Sequence, residues 1–124
     1  MDLRIKISLL DEGGKPFMGI GVVWLLEAVE RTGSIRRAAA GMDLSYVKAL
    51  KMIRRLEAGL GKEAVLPVRG GSGGGGTRLT AFGREFIRDY DLFQRRVKDL
   101  AGEEFRRFQA RYAGPERPGK EATP

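Results

Sequence analysis

The chain has 124 residues, room for one domain with a modest core and not for a second of ordinary size. It contains no cysteine and no histidine, which removes disulfides, thiolate chemistry, most zinc sites and the commonest general base. The starting expectation is therefore a non-enzyme with no cofactor and no metal, and a net charge of +7 points to a polyanionic partner.

That charge is local. Between Arg31 and Arg84 stand 11 Lys or Arg against three acids (Asp43, Glu57, Glu63), a balance of +8, leaving 12 basic and 13 acidic residues elsewhere. No apolar run approaches the roughly 20 residues of a membrane span. The first residues also lack the apolar stretch and small-residue cleavage site of a secretory signal, so a cytoplasmic protein without membrane contact is expected.

In chain order, residues 3–9 alternate, with Leu3, Ile5, Ile7 and Leu9 on one side and Arg4, Lys6 and Ser8 on the other, the period of a half-buried strand. Residues 11–16 read as a turn. From Gly19 to Thr32 the spacing of Val22, Leu25, Leu26 and Val29 predicts a helix that Gly33 stops. Ser34 is a good N-cap for a short second helix, with Ile35, Ala38, Ala39 and Met42 inward. After a turn from Gly41 to Leu44, Ser45 caps a third helix running to Leu60 and ending at Gly61. Two short helices joined by a three- or four-residue turn containing Gly make a helix-turn-helix pattern.

A strand is predicted at Ala64–Val68, followed by the glycine tract Gly70–Gly76 as a flexible hairpin tip and a second extended piece at Thr77–Leu79. Thr80 then caps a helix from Ala81 to about Tyr112, its stripe made of Phe82, Phe86, Phe93, Val97 and Leu100, with Tyr90 near it. At about 48 Å such a helix overhangs a core of this size. Its outer half, with Leu100, Phe105 and Phe108, calls for a second subunit, and Gly102 is a place where it bends or ends. Residues 113–124, rich in Pro, Gly and charge, have nothing to bury and are expected to be disordered.

The third helix carries the candidate chemistry. At 100° per residue, Ala49, Ile53, Leu56 and Leu60 form its core stripe. The opposite face carries Val47, Lys51 and Arg54, flanked by Leu50 on one side and Lys48 and Arg55 on the other, with Ser45 and Tyr46 at its start. In a major groove, long basic side chains reach guanine edges or phosphates, and apolar groups such as Val47 and Leu50 can meet thymine methyls. Arg36 and Arg37 on the second helix, and Arg69 and Arg78 at the base of the glycine hairpin, complete the candidate contacts with double-stranded DNA. Gly71, Gly73 and Gly76 formally satisfy G-x-G-x-x-G, but the βαβ unit is missing and Gly76 stands where a phosphate-loop lysine would precede Thr77. Three readings stay open: a sequence-specific regulator, an architectural protein that coats DNA without sequence choice, and a nucleotide-binding enzyme.

Thr32-Gly33-Ser34-Ile35, Ala38-Ala39, Leu44-Ser45-Tyr46, Ala49, and Gly73–Gly76 followed by Leu79-Thr80, Gly83 and Tyr90, together resemble the N-terminal DNA-binding domain of the molybdate-responsive ModE regulators. The stretch from Ala38-Ala39 to Leu56-Glu57 also resembles the LysR-type helix-turn-helix. The resemblance implies a mainly α fold with a small antiparallel β wing: a winged helix-turn-helix domain over residues 1–112, with residues 81–112 as a dimerisation helix. It implies a DNA-binding transcription regulator that works as a homodimer and is linked to molybdate or tungstate metabolism.

Two residues depart from the ModE pattern, Leu50 where a Trp is usual and Pro67 within the first wing strand. The oxyanion-binding domains of those regulators have no counterpart in residues 113–124. A stand-alone DNA-binding domain is the expectation, with any oxyanion signal arriving through a separate sensing partner.

Overall fold

The computed structural model describes residues 1–71 and 74–112, and the disorder expected for residues 113–124 falls outside them. The chain forms two compact units, one of Lys6–Leu92 and the other of Met1–Ile5 with residues from Phe93 onward. Its elements in order are β1 (Leu9–Leu10), β2 (Pro16–Met18), α1 (Ile20–Thr32), α2 (Ile35–Gly41), α3 (Tyr46–Leu60), β3 (Val65–Gly71), β4 (Gly74–Leu79) and α4 (Ala81–Tyr112). The strands make two separate antiparallel pairs, β1 with β2 and β3 with β4. Among the described residues no helix is long and apolar enough to cross a membrane.

Local chemistry sets the helix boundaries. The Ser34 hydroxyl accepts from the Arg37 N–H at 3.1 Å, Ser45 from Lys48 at 3.0 Å and Thr80 from Gly83 at 2.9 Å, each satisfying a donor that a helix start leaves free. Gly33 and Gly61 end α1 and α3 in the left-handed region, at φ 74° and 71°. The turn between α2 and α3 departs from expectation. Gly41 is the last residue of α2, and Asp43 takes the positive φ of 58°, a conformation whose cost Asp bears better than most residues.

The core of the larger unit is the meeting of α1, α2 and α3. Leu25, Leu26, Val29, Ala49, Ile53 and Leu56 are fully buried, and Ala38 and Ala39 let α2 approach closely. Each large aliphatic side chain there contributes about 1.5–3 kcal/mol by leaving water. The N-terminal strand is much shorter than residues 3–9. Only Leu9 and Leu10 pair, with Met18 and Pro16, because among the described residues none offers residues 3–8 a second strand. Their alternation survives as half-burial of Ile5, Ile7 and Leu9, and the Ile7 carbonyl accepts from the Tyr90 hydroxyl at 2.8 Å. Behind this hairpin Phe17 lies across Gly59 of α3, where a Cβ would come within 2.5 Å of the ring.

The β3–β4 hairpin is longer than expected. The glycines at 71 and 74–76 are in strands rather than in an open tip, with Val68 opposite Gly76 and Gly71 opposite Gly74. Pro67 is accommodated because each strand of a two-stranded sheet has an outer edge, where a missing donor breaks no ladder bond.

The helix α4 runs unbroken through Gly102. Its buried positions in the larger unit are Gly83, Ile87 and Tyr90, whereas Phe82 and Phe86 are half-buried. The expected stripe therefore meets the core only in part: Tyr90 is buried and Phe86 packs against it, whereas Gly83 and Ile87 take the place expected of Phe82. The reason is at Gly83, where a Cβ would lie 2.4 Å from the Ala64 carbonyl oxygen: the helix meets the sheet backbone on its glycine side. In the smaller unit Phe105, Phe108 and Tyr112 form a ladder of rings with centroids 6.4 and 5.2 Å apart, and Leu100, Phe108 and Tyr112 are exposed.

Candidate nucleic-acid interface

The sequence-predicted contact residues all lie in the larger unit. Ala49, Ile53 and Leu56 hold α3 to the core by one side, so helical geometry turns Val47, Lys48, Lys51, Arg54 and Arg55 outward, and all five are exposed. Arg36 and Arg37 on α2, and Arg69 and Arg78 on the hairpin, are exposed as well.

Contacts distinguish the members of this set. Ser45 is committed to its own helix as the N-cap. Leu50 is half-buried and packs against the core rather than standing free. Tyr46 lies beneath Arg36, whose guanidinium carbon is 4.2 Å from the ring centroid, so α2 and the first turn of α3 are tied by a cation–π contact. Arg54 reaches back to Glu57 at 2.9 Å. On the hairpin, Arg78 faces Leu66 across the ladder, while Arg69 follows Val68, where the register shifts; the two arginines are not cross-strand partners.

Three supports have no obvious mark in the sequence. The Glu57 carboxylate accepts from the backbone N–H of Ala64 at 2.8 Å and of Val65 at 3.3 Å, fixing the start of β3 to the end of α3. Glu30 does the same for β4, accepting from Leu79 N–H at 3.3 Å and pairing with Arg84 at 2.9 Å. That Arg84 hydrogen bond is the main reason the Glu30 carboxyl titrates below its ordinary value. Thr77 N–H donates to the Gly33 carbonyl at 2.9 Å, which seats β4 against the turn between α1 and α2. A charged helix face and a two-stranded hairpin are thus held in fixed register by backbone bonds. Among the described residues no group of three or more carboxylates is placed to hold a metal ion.

A model of the bacterial regulatory helix-turn-helix proteins of the lysR family matches residues 23–84, from α1 to the start of α4. The chain belongs to that family. The molybdenum transport protein ModE of Azotobacter vinelandii is 36% identical over 96 residues, covering 68% of this chain and 36% of its own length. The transcriptional regulator ModE of Yersinia pestis is 37% identical over 68 residues, covering 55% of this chain and 26% of its own. The chain spans about a third of the length of the curated relatives it matches. Among solved structures it is similar to full-length CbnR complexed with its target DNA, with a TM-score of 0.50 and 28% identity over 75% of this chain and 29% of that one. The winged helix-turn-helix architecture of this lysR-family chain, with its two-stranded wing and long last helix, agrees with that likeness.

Proposed function

We propose that the chain is a sequence-specific DNA-binding transcription regulator of the ModE kind, placing α3 in the major groove and the β3–β4 wing beside it. The observation that carries this reading is the outward face of α3, where Lys48, Lys51 and Arg55 surround an exposed valine on a helix whose other side is wholly committed to the core. The ModE relatives support a link to molybdate metabolism, and the DNA complex of CbnR supports double-stranded DNA as the partner.

The regulator acts in the cytoplasm as a homodimer. What supports the second copy is exposed apolar surface: Trp24 on α1 is 56% exposed, and on α4 Leu100 is 64% and Phe108 55% exposed. Side chains of that size are rarely left in water in such number without a partner. A twofold pair would place two copies of α3 on half-sites whose centres lie about 34–36 Å, or a multiple of that, apart.

Selection of bound fragments from random DNA tests the reading. An inverted-repeat motif is expected, and Lys51→Ala should weaken binding to it without changing the fold. A selection that returns no motif while DNA is still retained would move the assignment to an architectural protein. Sedimentation of the purified chain as a monomer at micromolar concentration would remove the dimer.

A further inference from the structure

We infer that Val47 is a base-reading residue and that it reads the C5 methyl group of a thymine. This rests on the reading of α3 as the helix that enters the major groove. Val47 is the second residue of α3, two positions after the Ser45 cap, and it is 61% exposed. The first residues of a recognition helix are those that meet base edges.

The neighbouring candidates are otherwise engaged. Tyr46 is stacked under Arg36, Leu50 leans into the core and Arg54 is paired with Glu57. Val47 is the one exposed large hydrophobic residue of α2 and α3. At 100° per residue it stands within about 40° of Lys51 and Arg54, in the middle of the charged face. A β-branched side chain in that place adds neither helix propensity nor core packing, so its use lies outside the chain.

Its chemistry narrows what it can meet. Valine has no hydrogen-bonding group, and pressing it onto the polar edge of guanine, adenine or cytosine would strip water from donors and acceptors without replacing it. The thymine methyl is the one apolar feature that an unmodified major groove presents. Valine is also stiff at χ1, so little rotamer freedom is lost on contact.

The experiment begins with the operator obtained by selection and replaces its thymines one at a time by deoxyuridine, which removes only the methyl. At one thymine per half-site the intact chain should bind about fourfold more weakly, the worth of one buried methyl-sized group. Val47→Ala, which alters both copies of the homodimer, should bind the unmodified operator about fourfold more weakly per half-site, roughly 16-fold in all, and be indifferent to that same replacement, since within a half-site the two changes remove one contact. Restoring a methyl as 5-methylcytosine, in a site carrying C at that position, should strengthen binding by the intact chain and not by Val47→Ala. Equal melting temperatures show that the variant is folded.

If the operator is bound specifically and no deoxyuridine matters, or the loss is the same in Val47→Ala, the inference is wrong while the regulator reading stands. If no operator emerges, both fall.

Discussion

The carbonyl oxygen of Gly33 occupies the place where a side chain on Gly76 would begin: a Cβ there would lie 2.5 Å from it. The wing comes so close to the turn between α1 and α2 that only hydrogen fits between them. Gly76→Ala should therefore cost about 1–3 kcal/mol of stability, the range for forcing extra volume into a packed contact, and should weaken DNA binding through displacement of β4. Gly41 is the opposite case. It ends α2 with nothing within 4 Å of a Cβ and no positive φ, so Gly41→Ala should stabilise the chain by up to about 1 kcal/mol. Urea denaturation of the two variants reads both signs.

Glu57 holds two backbone donors and one arginine, and these roles can be separated. Glu57→Ala leaves the Ala64 and Val65 N–H groups without their acceptor and should destabilise by about 1–3 kcal/mol. Glu57→Gln keeps an acceptor oxygen but removes the charge that engages Arg54. It should lose less stability, bind DNA more tightly and raise the salt slope of binding by about one ion. Titrations at several salt concentrations check this, and an unchanged slope would mean that Arg54 never reaches a phosphate.

These residues show where the sequence is readable and where it is not. Ser34, Ser45, Thr80, Gly33 and Gly61 act on their own few neighbours, so the helix starts and stops could be read from residue type alone. The inward positions of α1, α2 and α3 followed from their spacing, and with them the outward set on α3. Features that depend on a distant partner were hidden. Residues 3–8 have the period of a strand but, among the described residues, no strand to pair with. The aromatic stripe of α4 has the period of a core face, and Tyr90 is buried as that period implies, yet Gly83 turns the helix so that Ile87 is buried while Phe82 is only half-buried. Glu30 and Glu57 look like ordinary surface acids until the wing brings its N–H groups to them, and the wing glycines become strands only through each other.

The Glu30 carboxyl is held below its ordinary value, first by the Arg84 hydrogen bond and then by the Leu79 N–H, against an opposing push from burial. A carboxyl whose folded value is depressed adds stability above its unfolded value, and that contribution disappears as pH falls through the folded one. The melting temperature of the intact chain should therefore drop on acidification below about pH 4.5 more steeply than that of Glu30→Gln. Parallel acid limbs would show that Glu30 does not stabilise the wing base.

Molybdate should not bind to these 124 residues. An oxyanion site needs several donors converging on one point, and the described wing glycines direct their backbone along a paired ladder instead. Calorimetry with molybdate and an operator titration in its presence should both be flat, leaving any effect of the ion in the cell to a separate sensing component. Micromolar binding, or a tenfold change in operator affinity, would show that this chain senses the ion itself.

Phe17 resting on Gly59 has a consequence for anyone who would transplant this reading head. The family match begins at residue 23, but the far end of α3 is braced by a hairpin that precedes it. A graft cut at the family boundary would carry every charged side chain of the reading face and leave behind the ring that steadies its last turn. The portable unit starts at Lys6, which also keeps the Ile7 carbonyl that the Tyr90 hydroxyl needs.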